Sequence, residues 1–312
     1  MSEALMELSN ALAAATARAA AHIVAVHTGP RGSSSGVIWR AGLILTADHA
    51  LRSDEEIHVT LPGQGTDQRP DQRVVTAALV GRDATTALAV LKCAEAVSSV
   101  PAFGDPATLA AGHLALVVGR TRASGPVVAL GAVSLTVAER KHWGGTTLSP
   151  YIRLDVALQP TAIGGAVMDA RGSVIGIATP KFARFGAIAI PTATVNRVSD
   201  VVLSKGHVPR GYLGVGLQPV RLPAAFVQSA QRKGKTATIV LDVAPEGPAY
   251  KAGLLIGDLL LSLDGREVHY PGDVHSALGP DSIGKTLVAQ LLRGGELREI
   301  RIAVTERPNE AE

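Results

Sequence analysis

Short apolar runs separated by Gly, Pro, Asp and Ser constrain the fold of this chain more than any other sequence feature. They lie between residues 21 and 191 and are rich in β-branched residues, which predicts short strands joined by turns. Strands at this spacing are typical of antiparallel barrels or a sandwich. The twelve predicted strands are Ile23–Val26, Gly36–Trp39, Leu43–Thr46, Glu56–Thr60, Val74–Val80, Ala87–Leu91, Leu114–Val118, Val127–Val137, Tyr151–Asp155, Ala166–Met168, Val174–Ala178 and Ala187–Ile190.

The segments on either side of these strands have different patterns. Residues 1–21 are rich in Ala, Leu and Glu, with apolar residues at helical spacing, which predicts one amphipathic helix. The strand-rich domain is predicted over 22–205 and ends in a short helix, and residues 206–210 form a linker. Residues 211–307 are predicted to be a separate unit of strands with helices at Pro248–Ala252 and near Gly272–Leu278.

Composition excludes some functions. The 312 residues carry a net charge of only +3, and their basic residues are scattered apart from Arg232, Lys233 and Lys235. A nucleic-acid surface is normally a denser basic stripe, so we expect this cluster to be a solvated loop tip and expect no nucleic-acid partner. Aromatic residues make up 3% of the chain, and the core is therefore predicted to be aliphatic.

The sequence also gives an expectation for location. Cys93 is the single cysteine, which leaves no intramolecular disulfide to form. The N-terminal residues lack the basic start and continuous apolar stretch of a secretory signal, and Arg18 and His22 interrupt the alanine-rich stretch. We expect no membrane span and, for the chain as written, a cytoplasmic location. A periplasmic or extracytoplasmic location is expected if an export signal has been removed.

Several motifs, taken in order, resemble one protein family. They are Thr46-Ala-Asp-His49, the segment 81–92, Gln159-Pro-Thr-Ala-Ile-Gly-Gly165, Gly211-Tyr-Leu-Gly-Val215, Pro248-Ala-Tyr-Lys-Ala-Gly-Leu254, Gly257-Asp-Leu-Leu260 and Asp264-Gly265. Together they resemble the HtrA (Deg) family of trypsin-like serine proteases over nearly the whole chain. The resemblance implies a mainly β protein: a trypsin-like double β-barrel preceded by an N-terminal helix and followed by one α+β PDZ domain.

The resemblance also identifies the positions of the catalytic triad. His49 lies at the imidazole position, Ala87 at the carboxylate position and Ile163 at the nucleophile position, just before the Gly-Gly pair. A trypsin-like site needs a serine hydroxyl and a carboxylate there. The loop equivalent to the oxyanion hole contains Thr161 and Ala162, and β-branched Thr161 is expected to hinder its tight turn. We therefore predict a pseudoprotease that is not an enzyme.

Neighbouring residues offer no replacement for the missing groups. Asp48 adjoins His49, but adjacent strand residues point to opposite faces, and a hydroxyl at Thr161 is displaced by two positions from the nucleophile. His49 is either a relic held by packing or a residue recruited to bind a ligand or metal. The histidines show no metal-ligand spacing, so no metal and no cofactor are predicted.

The PDZ segment is the predicted site of binding. By resemblance, backbone N–H groups of Tyr212, Leu213 and Gly214 would receive the terminal carboxylate of a peptide that adds to the edge of the sheet. The facing pocket is predicted from four apolar residues in addition to Leu213, with filling of the domain core as the alternative role. These residues are Val215, Leu217, Val274 and Leu278.

Two functional hypotheses follow. The first is a proteolytically inactive protein that binds peptides or protein C-termini and acts as a scaffold, chaperone-like or regulatory protein. The second is a serine-type endopeptidase with a non-standard site, or a regulatory subunit that joins active HtrA paralogues in an oligomer. HtrA relatives commonly form trimers through N-terminal aromatic residues, but the first aromatic residue here is Trp39. The usual aromatic contacts therefore cannot form in the same way. Two alternatives stay open for the N-terminal amphipathic helix: it packs its Leu face against a neighbouring subunit in an oligomer, or it covers its own barrel. No definite number of subunits is predicted.

Overall fold

The structure is a computed structural model. It describes residues 2–308, except 28, 30–31, 52–55, 64–72, 94–99, 138–139, 142–146, 149–150, 184, 224–226 and 228–233. Contacts between residues divide the chain into two compact units. The first contains residues 1–139 and 149–208, and the second contains residues 140–148 and 209–312. The sequence-based domain limits at residues 21, 205 and 210 stay predictions.

The first unit contains two closed six-stranded barrels. The first barrel has the strand order β1-β2-β3-β6-β5-β4. Its strands are β1 (Ile23–His27), β2 (Ser33–Arg40), β3 (Leu43–Ala47), β4 (Ile57–Thr60), β5 (Val74–Asp83) and β6 (Leu88–Cys93). Antiparallel pairing between neighbours closes the barrel, which leaves no free sheet edge.

The second barrel has the strand order β11-β14-β13-β12-β7-β8. Its strands are β7 (Leu114–Thr121), β8 (Gly125–Val137), β11 (Tyr151–Asp155), β12 (Ala166–Met168), β13 (Val174–Thr179) and β14 (Ala187–Pro191). Two further short strands, β9 (Arg140–Lys141) and β10 (Thr147–Leu148), pair with each other. All twelve predicted strands are confirmed, and with them the predicted double barrel.

The cores are aliphatic, as the composition predicts. Val24 and Ile44 lie in the cluster inside the first barrel, and Val117 and Ile152 lie inside the second. A third cluster contains residues of both barrels, including the fully buried Trp39. Burial of these side chains supplies the main driving force for folding, and it fixes the loops that join the strands.

Two helices pack on the barrels. Helix α1 (Ser2–Ala20) buries Ala15 and Ala19 in the cluster shared by the barrels, whereas Leu5 and Met6 in its first half are exposed. Helix α2 (Thr192–Lys205) ends at Gly206, whose φ of 77° is the left-handed conformation that commonly closes a helix. Both predicted helices are confirmed. No helix of the described residues is long and apolar enough to span a bilayer.

The second unit contains the PDZ domain. Its main sheet has the order β16-β17-β18-β20-β21, with β19 paired to β18, and β15 pairs with β22. The strands are β15 (Gly211–Tyr212), β16 (Val215–Arg221), β17 (Thr236–Val243), β18 (Leu259–Leu263), β19 (Arg266–Glu267), β20 (Thr286–Arg293), β21 (Glu296–Ala303) and β22 (Thr305–Glu306). Two helices lie wholly within the described residues, α3 (Pro248–Lys251) and α4 (Pro271–Ala277). In the predicted basic cluster, Lys235 is exposed, and Arg232 and Lys233 lie outside the described residues.

Candidate functional site: the cleft and the PDZ groove

His49 lies in a 3-10 turn, Asp48–Ala50, that follows β3. Its side chain is exposed, whereas the neighbouring Asp48 is buried. The Asp48 N–H donates to the carbonyl oxygen of Ala87 at 2.9 Å, and its carboxylate Oδ1 lies 3.5 Å from Nε of Arg82. The carboxylate of Asp48 is therefore paired with Arg82, on the buried side of the turn.

Ala87 is fully buried and has a φ of 59°. This left-handed conformation is uncommon for a residue with a Cβ atom. The turn before it is stabilised by Asp83, whose carboxylate accepts hydrogen bonds from the hydroxyls of Thr85 (2.5 Å) and Thr86 (2.8 Å). Asp83 thus acts as a turn-stabilising residue, and the bond from Asp48 places Ala87 directly beside the turn that carries His49.

The pKa of His49 is lowered from its ordinary value. Burial of part of the ring is the main cause, the positive charge of Lys181 adds to it, and Asp48 opposes it. Lys181 follows β13, and its Nζ donates to the carbonyl oxygen of Ala84 at 2.8 Å. Its ammonium group is therefore held at the turn before Ala87, and its charge acts on the His49 imidazole. The described residues include no hydrogen-bond partner for the His49 ring.

The loop around Ile163 forms a short 3-10 turn, Pro160–Ala162. The Ala162 N–H donates to the carbonyl of Gln159 at 2.9 Å, and the Ile163 N–H donates to the carbonyl of Pro160 at 3.3 Å. The N–H group at the nucleophile position therefore points back into its own loop. Thr161 has a negative φ in this turn, so its β-branched side chain is accommodated.

Ser35 connects this loop to both barrels. Its N–H donates to the carbonyl of Ile163 at 2.7 Å, and its Oγ donates to the carbonyl of Thr161 at 2.5 Å. The same Oγ accepts a bond from the N–H of Arg120 in β7 at 2.8 Å. Gly164 packs so closely that a Cβ there would lie 2.6 Å from Oγ1 of Thr46. The loop is therefore held against the end of β3, three residues before His49.

Arg120 is buried and bonded to backbone carbonyls. Its Nε donates to Ile23 O at 2.6 Å and its Nη2 donates to Ala20 O at 2.7 Å. Burial lowers the pKa of its guanidinium. These bonds satisfy a carbonyl at the end of α1. The sequence pattern indicated no role for Ser35 or Arg120, since their partners lie up to 126 residues away along the chain.

The predicted carboxylate-binding loop of the PDZ domain has free donors. Within the described part of the chain, the N–H groups of Leu213 and Gly214 donate to no protein acceptor. Their carbonyl groups, by contrast, accept bonds from the N–H of Ala249 (2.9 Å) and Ala244 (2.8 Å). Both residues are buried. Their carbonyls are bonded within the domain, whereas their two N–H groups have no acceptor among the described residues. Tyr212 pairs with β22 through Thr305.

The groove beside this loop lies along β16. In the residues that the structure describes, β16 pairs only with β17, so its second edge is open. Val215 and Leu217 are half-buried and pack against the domain core. Leu213, Val274 and Leu278 lie within that core, each at most 8% exposed. Val215 and Leu217 are therefore the predicted pocket residues that a ligand can reach without displacing core side chains.

A cavity of about 440 Å³ lies elsewhere on the PDZ domain. It is formed by the segment 244–248, α3 and β21, and includes Lys251 and Arg301. Tyr212 is the one predicted binding residue that contributes to it. Leu213, Gly214 and β16 do not line this cavity, and a peptide that pairs with a strand edge needs no deep cavity.

Comparison with protein-family models identifies both units. A trypsin-like peptidase domain matches residues 34–177, and a PDZ domain matches residues 211–304. The first match includes His49, Ala87 and Ile163, and the second includes the free donors at Leu213 and Gly214. The described residues contain no group of three His, Cys, Asp or Glu side chains that could hold a metal ion.

Curated relatives are proteases. A probable periplasmic serine endoprotease, DegP-like, from Brucella suis is 32% identical over 293 residues, which cover 91% of this chain and 54% of that protein. A protein of the same name from Chlamydia trachomatis is 30% identical over 279 residues, which cover 88% of this chain and 54% of that protein. The chain thus spans about half the length of these relatives.

Solved structures agree with these relatives. The HtrA-type protease AlgW with a tripeptide is 30% identical, has a TM-score of 0.70, and the match covers 95% of this chain and 97% of that one. AlgW with a decapeptide is 27% identical with a TM-score of 0.71, covering 95% and 99%. The serine endoprotease from Yersinia pestis is 28% identical with a TM-score of 0.70, covering 94% and 97%.

These comparisons overturn the prediction that the chain is not an enzyme. The matched peptidase domain and the relatives named serine endoproteases point to a protease. That prediction was drawn from two side chains, Ala87 and Ile163, and gave too little weight to the scaffold around them. The relatives named periplasmic likewise do not support the expected cytoplasmic location. The chain belongs to the HtrA family of trypsin-like serine proteases that carry a C-terminal PDZ domain.

Proposed function

We propose that this chain is an HtrA-type protease subunit whose PDZ domain binds the C-termini of peptides or proteins. The observation that carries the proposal is the pair of N–H groups at Leu213 and Gly214, which have no acceptor within the described residues. Two adjacent amide donors form a concave site for a carboxylate. Their own carbonyls are bonded to Ala249 and Ala244, which stabilises the loop in the conformation that leaves both donors without an acceptor in the described part of the chain.

The chemistry of the groove favours an extended peptide with an apolar terminal residue. β16 offers an open edge for main-chain pairing, and α4 lies beside it. The half-buried side chains of Val215 and Leu217 would contact the terminal residue, with burial of apolar surface supplying affinity. The AlgW structures that contain a tripeptide and a decapeptide support peptide binding in this family.

We further propose that the chain takes part in proteolysis as a regulatory subunit of an HtrA oligomer that contains active paralogues. An isoleucine side chain at position 163 supplies no nucleophile, and the N–H of Ile163 is bonded within its own loop. A subunit that binds peptides and regulates active neighbours needs neither group. An extracytoplasmic location accords with relatives named periplasmic.

A second candidate is an endopeptidase with a non-standard site. It is favoured by the exposed imidazole of His49: partial burial and the charge of Lys181 lower its pKa and so favour the neutral ring, which is the form that can accept a proton. Cleavage of casein by the pure chain, abolished in His49→Ala, would select this candidate. No cleavage by the pure chain, together with altered cleavage by an active HtrA paralogue on mixing, would select the regulatory subunit.

Peptide binding is tested by fluorescence polarisation with labelled peptides that end in an apolar residue. We expect Leu217→Glu to weaken binding at least tenfold, because it places a charge in the apolar groove. Gln218→Glu is the matched control: it adds the same charge at the exposed neighbouring residue and should leave the affinity unchanged. Equal affinity of both variants and the wild type would refute the proposed site. Leu213 is unsuitable for this test, since it is 2% exposed and its replacement would disrupt the core.

A further inference from the structure

Pro219 lies in the middle of the open strand of the PDZ domain. β16 pairs antiparallel with β17 from Val215 to Arg221, and Pro219 lies opposite Thr238. The structure describes no strand on the other edge of β16. Proline has no N–H group and so cannot donate to a neighbouring strand.

The pairing with β17 determines which way the backbone of Pro219 faces. A proline within a sheet is confined to an edge strand, with its nitrogen directed away from the paired neighbour. The nitrogen of Pro219 therefore faces the open edge, and its side chain is exposed. The register of the two strands shifts once, between Gly216 and Leu217, and the extra residue there, Leu241, belongs to β17. The main-chain direction therefore still alternates along β16, and the N–H groups of Val215 and Leu217 face the same open edge. The N–H group of Gln218 faces β17 instead.

The open edge of β16 thus has N–H donors at its N-terminal end and lacks one at Pro219. Leu213, Gly214 and Val215 present N–H groups for a terminal carboxylate, and Leu217 presents the next donor along the strand. A peptide that pairs antiparallel with β16 would place its third residue from the C-terminus beside Leu217. Its fifth residue would lie beside Pro219, where no donor exists and the pyrrolidine ring occupies the edge.

We propose that Pro219 ends the main-chain ladder and thereby restricts recognition to the last three or four residues of the bound chain. This inference rests on the proposed peptide binding at β16. The ligand is then a short, accessible C-terminus, and residues farther from the terminus add little affinity through main-chain bonds. Pro219 is in this sense a specificity-determining residue, because it sets the length of peptide that is read.

The test compares two probes with the same terminus: acetyl-Ala-Leu-Val and acetyl-Thr-Ser-Thr-Ser-Ala-Leu-Val. Their affinities for the full chain are measured by calorimetry. The wild type should bind both within about twofold. Pro219→Ala restores an N–H group and should bind the seven-residue peptide about three- to tenfold more tightly, as expected for one added hydrogen bond, with the tripeptide unchanged. Gln218→Ala is the control and should show no dependence on length.

The outcomes separate this inference from the proposed function. If the wild type binds the longer peptide at least tenfold more tightly than the tripeptide, or if Pro219→Ala gains nothing for the longer peptide, the role of Pro219 is refuted while peptide binding stands. If neither peptide binds the wild type, and neither do the same peptides with an amidated C-terminus, the proposed peptide binding is refuted. The inference about Pro219 is then refuted with it. Thermal unfolding of each variant shows that the domain remains folded.

Discussion

Replacement of Ser35 by alanine removes one oxygen atom and should lower the free energy of unfolding of the first unit strongly. Ser35 is fully buried, and its hydroxyl bonds both to Thr161 O at 2.5 Å and to the N–H of Arg120 at 2.8 Å. Alanine would leave both backbone groups without that partner. A buried polar group that loses its hydrogen bond costs about 1–3 kcal/mol. Because Thr161 is only partly buried, we expect a total of about 3 kcal/mol.

The neighbouring Ser34 provides a matched control. It is 3% exposed, and its buried hydroxyl has no hydrogen-bond partner among the described residues. Ser34→Ala removes the same atom from the same strand but breaks none of the hydrogen bonds that the structure describes. We expect this variant to be unchanged or more stable by up to about 1 kcal/mol, since a buried hydroxyl without a partner is itself unfavourable.

Urea unfolding followed by tryptophan fluorescence measures both variants. Trp39 and Trp143 are the two tryptophans of the chain, so a Trp143→Phe background leaves only Trp39, which lies in the first unit. With a slope of about 2 kcal/mol per molar urea, Ser35→Ala should lower the midpoint by about 1.5 M relative to Ser34→Ala. Equal midpoints would refute the conclusion that Ser35 holds the loop to β7.

Three further variants test other parts of the structure. Asp258→Asn should destabilise the PDZ domain by about 3 kcal/mol, measured by hydrogen exchange of β18, because Asp258 is buried and bonded to Arg293 at 2.6 Å and 2.7 Å. His27 has a pKa lowered to about 4 by burial and nearby positive charge; the unfolded chain therefore binds more protons between pH 6.5 and 4, and stability falls as the pH drops through this window. His27→Gln should remove about 1–2 kcal/mol of that loss, an estimate reduced for solvent screening, and an unchanged pH dependence would contradict this. Gly164→Ala should cost more than about 3 kcal/mol in urea unfolding, since φ is 80° and the new Cβ would lie 2.3 Å from Ser35 O; a stability equal to the wild type would show that the loop has another conformation.

The architecture was predictable because it depends on local patterns. Turn residues between β-branched runs mark each strand, and the twelve predicted strands correspond to those of two six-stranded barrels. Their ends differ by a few residues: β2, for example, begins at Ser33, three residues before the predicted Gly36. Pairing with β1 extends that strand through the serines, and polar residues give no apolar pattern from which such an extension could be predicted.

The hydrogen bonds that hold the loop around Ile163 were not predictable. Ser35 and Thr161 are 126 residues apart. The sequence does not distinguish a serine whose hydroxyl is buried between two barrels from a serine in an exposed loop. The same limit applies to Arg120, which bonds to carbonyls rather than to a carboxylate. Leu213 and Leu278 were predicted to line the peptide pocket, but apolar residues of a core and of a pocket have the same pattern. Only the structure shows that both are buried.

The correction about enzymatic activity has a related origin. Ala87 and Ile163 show which two catalytic side chains this chain lacks. They do not determine whether a subunit takes part in proteolysis together with other subunits. Both residues take part in the hydrogen bonds of this scaffold, since the carbonyl of Ala87 accepts from Asp48 and the carbonyl of Ile163 accepts from Ser35. The regulatory role proposed above is consistent with this retained scaffold and with the family of proteases to which the chain belongs.

The most direct test of the central proposal is an NMR titration that follows the amide protons of Leu213 and Gly214. A peptide with a free C-terminal carboxylate should shift both resonances downfield as the two N–H groups acquire a charged acceptor. The same peptide with an amidated C-terminus should leave them nearly unchanged. If the two peptides shift these amides equally, or if neither shifts them at saturating concentration, the loop does not receive a carboxylate and the proposed function is wrong.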